Sequence, residues 1–308
     1  MKEQVFYTNN QKIVLKKPKK KLSEILFIIF GLTLPIINVI LFWFVVNSKS
    51  ILMAFQDRIG FDTVWTLKHF KYIFEEVLNP QSTMIEGLKN TMLFFFFDLI
   101  IQTGTTYVIS FFIYKKIPFA NGFRYIFMLP GIISAVAISS CVKFMFSPGG
   151  PMPEIWEMIF GVKPLFFADS DYTLKFLLLY QYWLGFGGGI LLYVATFARI
   201  PQELVEAGRL DGLGYFREMI NIVFPLTWPF FSTMLLMKFC GMLGAGGPVL
   251  LFTKGSYGTY TLSYWIYELT TGGGTYRGAA VGLVMTAISL PISLVFNWLA
   301  NKVEPIEY

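Results

Sequence analysis

The feature that most constrains this chain is a set of six long apolar segments, at roughly 24–47, 87–114, 122–146, 174–198, 223–251 and 277–301. A helix of about 20 apolar residues crosses a hydrocarbon layer about 30 Å thick. Backbone polar groups have no water partner there, so a segment must satisfy them internally, as a helix does. Composition agrees: 55% of residues are hydrophobic and only 14% charged, too few charges to cover a soluble domain of this size. The first run follows a basic stretch, as a signal peptide would. It is too long for one and lacks a small-residue cleavage site, so it reads as a retained span. The expected fold class is therefore an all-α integral membrane protein with six transmembrane helices. A basic tail, 1–23, precedes one membrane domain, 24–308.

Charge sets the orientation. Lys2, Lys12, Lys16, Lys17, Lys19, Lys20 and Lys21 lie before the first span. Lys115, Lys116 and Arg124 lie between the second and third, and Arg199, Arg209 and Arg217 between the fourth and fifth. With six spans these groups share one side, and the positive-inside rule makes that side the cytoplasm, with both termini. The opposite loops are longer and aromatic, carrying "FDTVWTLKHFKYIFEEVL" with the periodicity of a short surface helix and a Pro/Gly turn that exposes Trp156 and Phe160.

Several chemistries are excluded. There is no phosphate-binding G-x-x-x-x-G-K-[ST] loop, no G-x-S-x-G and no H-E-x-x-H. The single His69 cannot hold zinc alone, and no cofactor is implied. Cys141 and Cys240 lack ligand spacing and sit in apolar runs, which places them in the core as small residues. A membrane enzyme would need clustered acids or histidines near one interface, and none appears.

One hydrophilic segment interrupts the apolar second half. Residues 199–222 read as helix, break, helix. Pro201 suits a first turn, Glu203 and Glu206 favour its positive end, Gly212 suits a left-handed cap, and Pro225 starts the next span. An idle connection would be shorter, so a rigid hairpin for docking a partner is expected.

This segment resembles the cytoplasmic "EAA" loop of binding-protein-dependent ABC importer permeases: E-A-A, three residues, G, nine residues, then I-x-L-P. Here Glu206, Ala207 and Gly208 are followed by Gly212 and by Ile222, Val223, Phe224 and Pro225 at the same spacing. Gly208 replaces an alanine and Phe224 a leucine. Asp211 stands where the family commonly has an acid. The segments "FRYIFMLPGIISAVAISSCVKFMFSPGG" and "YWLGFGGGILLYVATFARIPQELVEAG" extend the resemblance to the maltose and glycerol-phosphate type, on the first-permease side. The resemblance implies a type I ABC importer permease fold and a bacterial cytoplasmic (inner) membrane location. It also implies a second homologous permease subunit, an ATPase dimer that hydrolyses the ATP, and an extracytoplasmic sugar-binding protein. Glu206, Ala207, Gly208, Asp211 and Gly212 would form the coupling helix seated in the ATPase.

Gapless alignment with the maltose permease carries its substrate contacts onto this chain. An asparagine falls on Gln181, a leucine and a glycine on Leu184 and Gly185, and a tyrosine on Gly188. A serine falls on Lys238, two further contacts on Gly241 and Met242, and a tyrosine and a serine near "LPG" on Gly131 and Ala135. Two tyrosines thus become glycines, which widens the path; "GFGGG" equally suits close helix packing. A lysine within a span costs at least about 2.5 kcal/mol unless paired or hydrated. Lys238 therefore either faces an anionic substrate or pairs with Asp98, for which Lys143 competes. The first reading implies import of an acidic, uronate-containing oligosaccharide. The alternatives are a neutral oligosaccharide, a glycerol-phosphate-type solute, or an ion-coupled secondary carrier. A carrier would have no need of the hairpin and would show repeated halves with broken helices.

Overall fold

The computed structural model describes residues 4–8, 11–15 and 22–303. Most lysines of the expected basic tail, and residues 304–308, lie outside the described residues. The chain divides into two compact units, Met1–Met53 and Ala54–Tyr308. The first contains an antiparallel backbone hairpin, Gln4–Thr8 with Gln11–Leu15, and most of helix α1 (Leu22–Ala54), whose turns widen to π geometry over Val39–Val45. Its large apolar side chains, Phe27, Phe30 and Trp43 among them, point outward, as lipid rather than water would require.

The second unit is a helical bundle. Helices α3 (Thr83–Tyr114), α7 (Ser170–Phe197), α9 (Tyr215–Cys240) and α12 (Thr275–Ala300) are each long and apolar enough to cross a membrane. With α1 that makes five such helices among the described residues. Two further apolar helices, α4 (Ala120–Ile132) and α5 (Ala135–Phe146), meet at 99°; counted together as one broken span they make a sixth.

That bend corrects the expectation of one continuous span over 122–146. Ile133 and Ser134 take extended ψ angles of 144° and 128°, just after Pro130 and Gly131, two poor helix formers in succession. The fifth span is likewise shorter than the apolar run of 223–251. It stops at Cys240, and Gly241, Gly244, Gly246, Gly247 and Pro248 break the chain into a 3-10 turn, Met242–Gly244, and the short helix α10 (Val249–Phe252). At its other end α9 starts at Tyr215 rather than at Pro225. Pro225 lacks the N–H that would close an α-turn, and the helix absorbs the loss in a π segment over Met219–Val223.

Between α1 and α3 the chain forms a strand pair, Gln56–Ile59 with Asp62–Trp65, and only then helix α2 (Lys68–Leu78). The expected surface helix therefore begins later than its periodicity suggests. Gly60, at φ +67°, makes the tight turn. Helix α6 (Pro151–Phe160) carries Trp156 and Phe160 with their rings 4.6 Å apart and both exposed, as expected. Asn90 of α3 donates to the carbonyls of Gly258 and Tyr260 at 2.9 and 2.7 Å. This fixes the loop leading into α11 (Leu262–Thr271) against α3. Cys141 and Cys240 are exposed, not core residues; an apolar stretch in a membrane helix can face outward as readily as inward.

Candidate functional site

The bundle contains a cavity of about 260 Å³ between α3, α7 and α9. Gln102, Thr103 and Thr106 line it from α3, Gly185 and Gly189 from α7, and Lys238 from α9. Lys238 is the only charged side chain in that lining. Its Nζ donates to Asp98 Oδ1 at 2.7 Å. Neither partner is fully buried: Lys238 keeps 27% and Asp98 21% of its side-chain surface exposed.

Asp98 lies in a π-helical stretch of α3, Phe97–Gln102. The widened turn leaves the Asp98 carbonyl to accept from the Thr103 hydroxyl at 3.0 Å. Such bulges often sit where a helix must aim a functional side chain. Lys143 does not compete for Asp98: its ammonium donates to the Leu251 carbonyl at 3.1 Å. Asp98 therefore serves Lys238 alone among the described residues.

The glycines of "GFGGG" divide between two roles. A Cβ on Gly185 would overlap the Gln102 amide, and one on Gly187 would come within 3.1 Å of the backbone of α4. A Cβ on Gly189 would sit 2.9 Å from the Thr106 methyl. These three let helices and side chains close up. Gly188 and Gly131 face open space, with nothing within 4 Å of a built Cβ. Ala135 is exposed, Leu184 half-buried beside Val249 and its neighbours, and Gly241 exposed at the end of α9. Met242 is buried in the apolar cluster with Phe95 and Leu243, and does not line the cavity. The Gln181 Oε1 is buried without a hydrogen-bond partner among the described residues. Of the nine positions carried over, Lys238 and Gly185 therefore meet in the cavity.

The hairpin that interrupts the apolar sequence lies at the opposite end of α9. Pro201 caps α8 (Gln202–Leu210) in an extended conformation, and Gly212 takes φ +79°, the left-handed turn its position called for. The chain then enters α9 directly. Glu206, Ala207, Asp211 and Gly212 are exposed. Leu210 is 90% exposed and Tyr215 and Phe216 project beside it, so the tip is apolar as well as acidic. Gly208 is buried, and a Cβ there would overlap the end of the Ile222 side chain. The departure from alanine thus lets Ile222 lie across α8.

One residue escaped the sequence reading. Glu218, in the first turns of α9, is 1% exposed and pairs with Lys115, itself 5% exposed. Arg209 Nε lies 3.6 Å from the other carboxylate oxygen. Its buried partner lies 103 positions earlier in the sequence, beyond any local periodicity.

No protein-family model matches the chain. It is similar to the polygalacturonan/rhamnogalacturonan transport system permease protein YteP of Bacillus subtilis, at 25% identity over 94% of each chain. It is similar to LplB of the same organism at 22% identity, over 83% of this chain and 82% of that one. A third relative is the maltodextrin permease MalC of Streptococcus pneumoniae, at 26% identity, where the match spans 57% of MalC. Among solved structures, a bacterial ABC transporter involved in the import of the acidic polysaccharide alginate superposes with a TM-score of 0.77 at 22% identity, over 90% of this chain and 96% of that one. In sequence and in fold, this chain is a relative of the sugar ABC transporter permeases.

Proposed function

We propose that this chain is the membrane-spanning permease subunit of an ATP-driven importer for acidic oligosaccharides in a bacterial cytoplasmic membrane. One observation carries the reading. Helix α9 carries at one end an exposed hairpin that turns at the left-handed Gly212, and at the other Lys238, the only cation among the described residues lining the cavity. The hairpin side would face the cytoplasm with both termini, where two ATPase subunits supply the hydrolysis. A second permease completes the path, and an extracytoplasmic binding protein delivers the sugar. The membrane domain would run from residue 24 onward with its coupling loop at 199–222, and Glu206 and Asp211 would hold the ATPase by charge-assisted hydrogen bonds.

The acidic substrate rests on Lys238 and on the substrates of one relative, a polygalacturonan/rhamnogalacturonan permease, and of one structural neighbour, an alginate importer. A lysine ammonium has three donors, and Asp98 accepts one at Oδ1. The others can meet a sugar carboxylate, which then competes with Asp98 for the ammonium. The Lys238–Asp98 pair also supports a second reading, in which the pair is purely structural and the cargo neutral. Isolation of the membrane complex in mild detergent tests the assembly: an ATPase should co-purify and lose its sugar response in Glu206→Lys. An active transporter lacking any ATPase would refute the importer reading.

A further inference from the structure

Helices α3 and α9 run antiparallel and are joined by three polar links. Lys115 pairs with Glu218 at the hairpin end, the Tyr107 hydroxyl meets Thr227 Oγ1 at 2.9 Å midway, and Asp98 meets Lys238 at 2.7 Å at the cavity. At about 1.5 Å per residue the outer links stand on the order of 25–30 Å apart along the helices. Tyr107 and Thr227 are buried, and between the links lie Phe111, Met219 and Val223 of one apolar cluster. Among the described residues no other side-chain hydrogen bond or ion pair joins these two helices, and the apolar contacts between them could slide; these three links fix the register of one helix on the other. Polar bonds between membrane helices are individually modest, so the seam depends most on its one sealed ion pair, Lys115–Glu218, the core of a triad with Arg209. Arg209, which completes the triad, belongs to the hairpin itself.

We propose that Glu218 is a positioning residue for coupling. Its ion triad fastens the hairpin to the end of α3, so that α3 and α9 move as one body and a displacement at the hairpin reaches the cavity around Lys238. This rests on the importer reading above. Glu218 touches neither nucleotide nor sugar and acts through the two helices.

The test needs no knowledge of the sugar. Met237 lines the cavity and is exposed. In the intact membrane complex, with Cys141→Ser and Cys240→Ser, Met237→Cys reports cavity access through its rate of reaction with a charged thiol reagent, with and without ATP and vanadate. The parent should show a nucleotide-dependent change in rate. Glu218→Gln should reduce that change about fivefold or more while the ATPase subunits remain bound. The charge swap Lys115→Glu with Glu218→Lys should recover most of it, with Arg209, half-exposed, turning to solvent. An undiminished response in Glu218→Gln overturns the proposal. So does equal failure of Glu218→Gln and the swap, including failure to assemble, because Glu218 would then be only structural. A parent with no nucleotide response overturns the importer reading itself.

Discussion

The same two helices carry two lysine–carboxylate pairs in opposite circumstances. Lys115–Glu218 is sealed at 5% and 1% exposure, with Arg209 as a further partner. Lys238–Asp98 keeps 27% and 21% of its surface open. A buried ion loses hydration worth several kcal/mol and recovers it only from well-placed partners, so such a pair cannot open cheaply. A pair on a cavity wall stays partly hydrated, and exchange of one carboxylate for another is far less expensive. The first arrangement suits a joint that must hold through a transport cycle. The second suits a site that must release what it binds. The proposed division between fastening and binding thus rests on burial alone, the chemistry of the two pairs being the same.

Removing the two carboxylates tests that division most severely. Glu218→Ala leaves the Lys115 ammonium buried without its partner, at a cost of about 3–5 kcal/mol. The expected result is a large drop in thermal stability of the detergent-solubilised chain and loss of ATPase co-purification. Asp98→Ala leaves Lys238 in contact with the cavity, and its effect on the same measurement should be under half as large. Equal losses would erase the distinction. Next in size is Gly212→Val. Gly212 holds φ +79° at an exposed position, and a β-branched residue there is strained by about 1–3 kcal/mol. Spans should insert normally while ATPase binding weakens.

Two milder substitutions sharpen the comparison. Asp98→Asn removes the competing charge and keeps the shape. The ammonium should then hold an acidic oligosaccharide more tightly, with KM and turnover both falling; about 1.4 kcal/mol of differential binding corresponds to tenfold. Unchanged kinetics would mean that Asp98 does not compete for Lys238. Gly208→Ala is the smallest. Alanine favours the helix by up to about 1 kcal/mol, while its methyl must displace the flexible end of Ile222. The two effects oppose, and stability should change by under about 1 kcal/mol. A larger loss would show that the Ile222 contact is rigid.

Much of this was readable from sequence because it is local. Apolar length gave the spans, Gly212 its left-handed turn, and the lone mid-span acid gave Asp98 as a partner for Lys238. What was not readable depends on contacts or on breaks. Hydropathy averages across Ile133 and Ser134, so a 99° bend leaves no trace in it. The same averaging ran the fifth span through Gly241 and on to residue 251. Exposure of Cys141 and Cys240 was inverted because apolar residues in a membrane protein face outward as well as inward. Nothing local in the sequence distinguishes Glu218; only folding brings Lys115 to it. Among the carried-over contact positions, Met242 followed an alignment that could not see the turn at Gly241, and the turn directs it into the core.

The proposed importer turns on Lys238 as the anion-selective group of its path. Its most direct test is Lys238→Gln, reconstituted with the partner subunits, comparing uptake of a uronate disaccharide with that of a neutral disaccharide of equal size. An ammonium facing a carboxylate across a partly hydrated cavity should be worth a net of about 1–2 kcal/mol after desolvation. The account therefore predicts a selective loss of about tenfold for the acidic sugar, with the neutral one unchanged. An equal loss for both sugars would make Lys238 a structural partner of Asp98, and unchanged uptake of both would place it outside the path.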